Sequence, residues 1–145
     1  MAPNGLELLK AWLDYSIIGV LGFMSLIMVT FVVERYLYYS KLKLTDYANL
    51  HELDIALTDH LTIISTIGAN APYVGLLGTV LGILITFYDL GQGGGLDARS
   101  IMFGLALALK ATALGLVVAI PAIIFYNALL RKVDVFKSRW QGMNL

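Results

Sequence analysis

The stretch that decides the fold is APYVGLLGTVLGILITFYDL, residues 71–90, an apolar segment with regularly spaced glycines. Gly75, Gly78 and Gly82 recur at intervals of three and four, and a lone hydroxyl, Thr79, lies among them. Residues three and four apart share one face of a helix. Helices in lipid associate where small residues allow their backbones to approach closely. The pattern therefore predicts a membrane helix that packs a small, smooth face against a neighbour.

The composition of the whole chain is that of a membrane protein. Of its 145 residues, 59% are hydrophobic and only 14% are charged, with a mean hydropathy of +0.79. A soluble domain carries about 25% charged residues. The zero net charge gives no indication of a nucleic-acid partner, and there is no cysteine. The N-terminal stretch lacks the basic segment and cleavage site of a signal peptide, so we expect none.

Three uncharged runs predict three membrane spans, because a bilayer core needs about 20 apolar residues of helix. The runs cover residues 15–33, 61–88 and 100–130, and only Lys110 interrupts the last. The last two are longer than a bilayer requires, so we expect these helices to extend into the cytoplasm. We predict one all-α membrane domain, 1–145, with spans at about 15–33, 70–90 and 101–126, a cytoplasmic loop at 34–69 and a cytoplasmic tail at 127–145.

The distribution of basic residues predicts the orientation. Seven Lys and Arg residues lie after the first span and in the C-terminal tail, against two on the opposite side. Basic residues favour the cytoplasm, so we expect the N-terminus outside and the C-terminus inside. The apolar spacing in the loop predicts one amphipathic helix or two short ones. The Gly-rich turn at 89–98 predicts that the second and third spans are antiparallel neighbours. Tyr36, Tyr38 and Tyr39 fit an interfacial aromatic belt.

Small residues form a stripe on each of the last two spans. A stripe of this kind permits close packing either within one subunit or between subunits, and the sequence leaves both possibilities open. The stripe of the second span consists of Gly68, Ala71, Gly75, Gly78 and Gly82, and that of the third consists of Gly104, Ala108, Ala111, Gly115, Ala119 and Ala122.

Three threonines are the candidate polar residues inside the membrane. Thr79 and Thr112 lie roughly 16 and 18 Å from the outer ends of their spans, and Thr86 shares a face with Thr79. An intramembrane Thr commonly bonds the carbonyl four residues earlier. The matched depth favours instead a polar lining inside an oligomer. The carboxylates lie only at the ends of the predicted spans or outside them, so proton conduction would need an acid from a partner, or Lys110.

Two segments identify the family that the chain resembles. APYVGLLGTVLGI, residues 71–83, and LALKATALGLVVAIPAIIFYN, residues 107–127, closely resemble the ExbB/TolQ/MotA proton-channel family, and its ExbB branch matches best. The resemblance implies a homopentamer around a dimer of single-span ExbD-like subunits, each with one essential Asp. The resemblance further implies that protonation of that Asp turns the inner pair and drives a TonB-like protein. Thr79 and Thr112 match the two pore-facing threonines of the family.

The chain departs from the family pattern at two positions of the third span. Leu107 stands where the family often has a Glu, and Lys110 stands where an apolar residue is usual. Lys110 lies about 200° around the helix from Thr112, so we expect it to point away from the threonines. It could pair with a polar group or lipid headgroup between subunits, or serve as a proton relay. Pro121 predicts a helix bend.

These observations together predict a proton-channel stator subunit of the bacterial inner membrane. With an ExbD-like partner it would energise TonB-dependent outer-membrane transport. The alternatives are a TolQ-type subunit that maintains the outer membrane in the Tol–Pal system, or a scaffold that conducts nothing. A solute transporter would show internal repeats, and we find none. No motif of a soluble enzyme, a cofactor site or a metal site is present in the sequence.

Overall fold

A computed structural model describes residues 5–92 and 98–144. The Gly-rich segment 93–97, on which the predicted outer turn depends, lies outside the described residues. The described part of the chain is all-α, as predicted. Its helices are α1, Gly5–Ser40, α2, Leu50–Thr58, α3, Leu61–Gly91, and α4, Ala98–Met143, with a short 3₁₀ turn at Leu44–Asp46.

The three long helices, α1, α3 and α4, are each long and apolar enough to cross a membrane. Each contains one of the predicted spans. In the most apolar part of each helix only 22–28% of the residues are buried inside the subunit. The remaining apolar surface is far larger than a soluble monomer exposes. The protein is therefore a multi-pass membrane protein whose surface is covered by lipid or by other subunits.

The helices continue well beyond the predicted spans. The first begins at Gly5 rather than near Tyr15, so Asp14, which precedes the uncharged run, lies inside α1. Residues 34–40, assigned to the loop from the sequence, continue the same helix. Charged residues ended the uncharged runs, but they did not end the helices. With 46 residues, α4 is about 69 Å long, which is more than twice the hydrocarbon thickness of about 30 Å.

Helices α3 and α4 form a tight antiparallel pair at the centre of the subunit, and their small residues face each other. A Cβ atom on Gly75 would lie 2.5 Å from the backbone oxygen of Ala111, and one on Gly115 would lie 2.6 Å from that of Ala71. These distances are too short for any side chain, so only glycine permits this approach. The pairing of Gly82 with Ala108 continues the contact toward the C-terminal end of α3.

Helix α1 lies across this pair and contacts α3 where Ile17 packs against Gly78. The predicted amphipathic helix of the loop is present as α2, with Leu53 and Leu57 fully buried. Both α3 and α4 continue through a proline, Pro72 and Pro121. The bend expected at Pro121 stays a prediction.

Candidate functional site

Thr79 and Thr112 meet where α3 and α4 pack together. Their hydroxyl oxygens are hydrogen-bonded to each other. Thr79 also donates to the carbonyl of Ala108 at 2.8 Å, whereas the carbonyl of Gly75, four residues earlier, is more distant at 3.4 Å. Thr79 is 7% exposed, and Thr112 is half-buried. The two threonines chosen from sequence depth alone are therefore direct neighbours.

Counting the protons and lone pairs of the two hydroxyls shows which further hydrogen bonds they can make. A hydroxyl has one proton to donate and two lone pairs to accept. Because Thr79 directs its proton to the Ala108 carbonyl, Thr112 supplies the proton of the Thr79–Thr112 bond. The half-buried oxygen of Thr112 keeps accepting capacity. The pair can thus accept a hydrogen bond from a protonated acid or from water.

The small residues make this cross-helix bond possible. Glycine and alanine bring the two backbones close enough for a hydroxyl on α3 to reach a carbonyl on α4. Thr86 shows the contrasting case, since its hydroxyl donates to the carbonyl of Gly82 in its own helix at 2.9 Å. It is 1% exposed and lies against Gly104. A pore-facing role for Thr86, and for the other two threonines, stays a prediction.

Lys110 faces α1, where its Nζ lies 3.4 Å from Oδ2 of Asp14. Both side chains remain about two-fifths exposed, at 43% and 41%. Thr112, about 200° around α4 from Lys110, consequently faces away from α1. The polar partner comes from the same subunit. Sequence reasoning missed this partner because Asp14 precedes the first uncharged run. The presence of Lys110 in an otherwise apolar helix nevertheless indicated that an acidic partner should be sought.

A cavity of about 620 Å³ lies between α1, α3 and α4 at the end of the molecule where α3 leads into α4. We call it the hairpin-end cavity. Its floor is formed by Ile17, Gly78 and Ala111, and Leu107, the position where the family often has a Glu, lies in its wall. Its charged lining residues are Glu7, Lys10, Asp14, Asp89 and Arg99. No pattern in the sequence predicts this cavity, because it depends on the space between α1 and α3.

The opposite end of α1 carries a buried arginine that the sequence analysis counted only as a topology signal. Arg35 is 2% exposed and donates to Glu34 at 2.5 and 2.6 Å and to the carbonyl of Ala56 at 2.7 Å. Its guanidinium lies over the ring of Tyr38 at 4.5 Å. Tyr39 is buried and donates to the Leu57 carbonyl, so it does not belong to an interfacial belt. We call Arg35, Glu34, Tyr38 and Tyr39 the Arg35 cluster.

The loop continues this buried network. Burial and a hydrogen bond with Tyr38 raise the pKa of Tyr47 to about 12, so this phenol stays neutral near neutral pH. The indole Nε1 of Trp140 donates to the Tyr47 carbonyl at 3.3 Å, which joins the far end of α4 to the loop. Within the described ranges 5–92 and 98–144, no group of three or more His, Asp or Glu side chains is arranged to hold a metal ion.

Comparison with known proteins shows the family of the chain. A sequence model of the MotA/TolQ/ExbB proton channel family matches residues 40–142, more than two thirds of the chain. The chain belongs to this family. The match confirms the resemblance drawn from residues 71–83 and 107–127, and with the three apolar helices it supports a membrane protein of proton-channel type.

Individual relatives of this family extend over almost the whole chain. The biopolymer transport protein ExbB of Helicobacter pylori strain J99 is 53% identical over 143 residues, which cover 99% of both chains. A putative biopolymer transport protein ExbB-like 2 of Helicobacter pylori is 50% identical over 91% of this chain and 88% of its own. ExbB of Aquifex aeolicus is 50% identical over 96% of this chain and 94% of its own. The chain is thus similar to ExbB-named proteins from end to end.

Proposed function

We propose that this chain is an inner-membrane stator subunit that uses the proton motive force to energise TonB-dependent outer-membrane transport. It acts as a homopentamer around an ExbD-like single-span partner and passes the resulting motion to a TonB-like protein. The N-terminus is periplasmic, and the C-terminal part of α4 extends into the cytoplasm. The observation that carries the proposal is the Thr79–Thr112 hydroxyl pair, held between two smooth helices that supply no carboxylate at that depth.

The hydroxyl pair suits a partner carboxyl group that changes its protonation state. A protonated Asp of the partner donates to the oxygen of Thr112, which has accepting capacity. When that Asp is ionised, the proton of Thr112 turns toward it, because hydrogen bonds to an ionised acceptor are the stronger ones. An unpaired carboxylate at this depth would be costly. The threonines therefore lower the free energy of both forms without titrating themselves.

The charged face and the hydroxyl face of α4 point in opposite directions, which supports a ring of subunits with α3 and α4 on the inside. Lys110 faces α1 through Asp14, and Thr112 lies on the other side of α4. In a ring with the threonines toward the centre, α1 is outermost. Large apolar side chains on α3 and α4 are exposed in the single subunit and remain available for lipid and for neighbouring copies, among them Leu76, Val80, Leu84, Leu109, Val117 and Ile120.

The named relatives favour the transport role over the TolQ-type alternative. Three of them are described as biopolymer transport proteins of ExbB or ExbB-like type over most of this chain. Growth on scarce iron, compared with sensitivity to detergent, separates the two roles in cells that lack the native gene. Loss of growth only on scarce iron supports the transport role, and detergent sensitivity alone contradicts it.

The hydroxyls themselves are tested by Thr79→Val and Thr112→Val, which keep the side-chain volume and remove the hydrogen bonds. We expect energised uptake to fall by at least about tenfold, since a loss of one to two charged hydrogen bonds is worth this much, with normal levels of the complex on immunoblots. Thr79→Ser and Thr112→Ser keep the hydroxyl and should retain uptake. Thr66→Val is the matched control, because the exposed Thr66 hydroxyl donates to the Thr62 carbonyl of the same helix at 2.7 Å and does not line the hairpin-end cavity. Normal uptake in both Val variants would establish the passive scaffold instead.

A further inference from the structure

The hairpin-end cavity is a wedge that opens toward the end of α3 and the start of α4. Helix α1 contacts α3 closely at Ile17 and Gly78 and diverges from it beyond this point, so that Leu13, Lys10 and Glu7 line an open space. Along α3 the lining runs from Asp89 to Gly78, a rise of roughly 16 Å. The wedge therefore reaches about halfway through a hydrocarbon core of about 30 Å.

The charges on the wall of this cavity require water. Asp14 lines the cavity and is 41% exposed, and its partner Lys110 is 43% exposed. Lys110 lies about 18 Å along α4 from the start of that helix, at a depth where charges almost always face a water-filled space or one another. The single contact of 3.4 Å uses one of the three protons of the ammonium group and one oxygen of the carboxylate, so both groups keep further capacity for hydrogen bonds. A volume of about 620 Å³ accommodates roughly twenty waters at about 30 Å³ each.

Only small residues separate the floor of the cavity from the hydroxyl pair. Gly78, Gly82 and Ala108 line the cavity, and Thr79 follows Gly78 directly in α3. Thr79 donates its proton to the carbonyl of Ala108, so the hydrogen bonds of the candidate site end on a residue of the cavity wall. A proton at the floor of the wedge is already at the depth of the two threonines.

We propose that the hairpin-end cavity is a water-filled vestibule that admits protons from the outside to the level of Thr79 and Thr112, with Asp14, the partner of Lys110, in its wall. The role in proton supply rests on the proposed function, whereas the presence of water does not. A water column to this depth concentrates the membrane potential across the remaining, cytoplasmic half of the protein. The electrical energy of the membrane potential then acts on the part of the protein in which the partner's Asp moves.

Accessibility of introduced cysteines tests the vestibule directly, because the native chain has none. Leu107→Cys places a thiol on the cavity wall. Ala106→Cys is its matched control, one residue away and about 100° around the helix, on an exposed face that does not line the cavity. Leu8→Cys, near the start of α1, is the exposed reference. After labelling in the membrane, each variant is purified as an assembled complex with its single-span partner, so that misfolded protein is not counted.

The probe is a charged, membrane-impermeant methanethiosulfonate reagent added outside right-side-out inner-membrane vesicles. The reaction requires the thiolate and therefore water at the thiol. We expect Leu107→Cys to react within roughly tenfold of the rate of Leu8→Cys and at least about a hundredfold faster than Ala106→Cys, because only a hydrated thiol ionises. Equal, slow reaction of Leu107→Cys and Ala106→Cys overturns the proposal. So does labelling that occurs only from the opposite face of the membrane.

Two further measurements are needed. One distinguishes a cavity filled with water from a cavity filled with a lipid chain, and the other tests whether the water serves to supply protons. If brominated acyl chains quench the fluorescence of a Leu107→Trp variant while Leu107→Cys resists the reagent, a lipid chain fills the cavity and the vestibule is wrong. If Leu107→Cys is labelled, the bulky charged adduct should reduce energised uptake by at least about fivefold through blocked access. Labelling with unchanged uptake overturns the role in proton supply. The threonine variants judge the proposed function separately, since labelling needs no transport.

Discussion

The two ends of α1 hold their charges in opposite ways. At one end Arg35 is 2% exposed and bonds Glu34 and the carbonyls of α2, with a tyrosine ring against its guanidinium. At the other end Asp14 and Lys110 are about two-fifths exposed and make one contact of 3.4 Å beside an open cavity. A charge that is surrounded by donors and acceptors can be dry, whereas a charge with a single partner needs solvent. The difference indicates a subunit that is fixed at one end and hydrated at the other.

The Arg35 cluster joins three segments that are distant in sequence. Arg35 lies on α1, its carbonyl acceptors Ala56 and Leu57 end α2, and His60, in a left-handed conformation, stacks on Phe31 just before α3 begins. A cation at the C-terminal end of a helix also interacts favourably with its dipole. The cluster thereby fixes the path of the chain from the first span to the second. Beside the hairpin-end cavity, α1 and α4 are joined by the Asp14–Lys110 pair, in which both side chains stay about two-fifths exposed.

The largest effect is expected from Arg35→Met, which removes the centre of the buried cluster. We expect a loss of about 3 kcal/mol in the free energy of unfolding, because each hydrogen bond to a charged group contributes roughly 1.5–3 kcal/mol. Thermal unfolding of the purified complex in detergent measures it. Arg131→Met, at an exposed position of α4, is the control and should change stability by under about 0.5 kcal/mol. Equal effects of the two substitutions would remove the contrast between the ends.

A smaller effect is expected from Gly75→Ala in the middle of the α3–α4 contact. Its Cβ would lie 2.5 Å from a backbone oxygen, so the helices must separate at a cost of about 1–3 kcal/mol. Gly82→Ala meets the Ala108 methyl at 3.0 Å and should cost less than Gly75→Ala. Gly22→Ala has nothing within 4 Å and should be neutral or stabilise by up to about 1 kcal/mol. Thermal unfolding measures the loss of stability in each variant. If the loss does not decrease from Gly75→Ala to Gly82→Ala to Gly22→Ala, the α3–α4 contact does not loosen toward the cavity.

The smallest effect is expected from Asp14→Asn and Lys110→Met. Because both groups are about two-fifths exposed, the ion pair should contribute at most about 1 kcal/mol after screening by water. The double charge exchange Asp14→Lys with Lys110→Asp should return stability to the native value. A loss in either single variant as large as that of Arg35→Met would mean that the pair is dry, and the vestibule would then lose its main argument.

The sequence predicted the features that depend on local composition. Uncharged runs locate the spans because the hydrocarbon core excludes charge, and the intervals of three and four predicted the small faces that pack at Gly75 and Gly115. Depth counted along each helix was enough to suggest that Thr79 and Thr112 lie at one level. These inferences need only the rise and periodicity of a helix.

The remaining features depend on tertiary geometry that a single sequence does not contain. Arg35 looked like one of seven basic residues that set orientation, because its burial arises from the return of α2 against α1. Asp14 stood outside the uncharged run, yet the helix begins at Gly5. The cavity follows from the divergence of α1 beyond Ile17, and no residue pattern encodes that angle. The orientation and the cytoplasmic position of the tail stay predictions.

The unbroken length of α4 has a mechanical consequence. From Thr112 to Trp140 the helix continues without interruption for roughly 42 Å, and Trp140 bonds the loop that leads from α1. A tilt of about 5° at the depth of the hydroxyls displaces the far end by roughly 4 Å over this length. A small tilt of α4 that leaves the hydrogen bonds in the membrane intact therefore produces a much larger displacement at the far end of the helix.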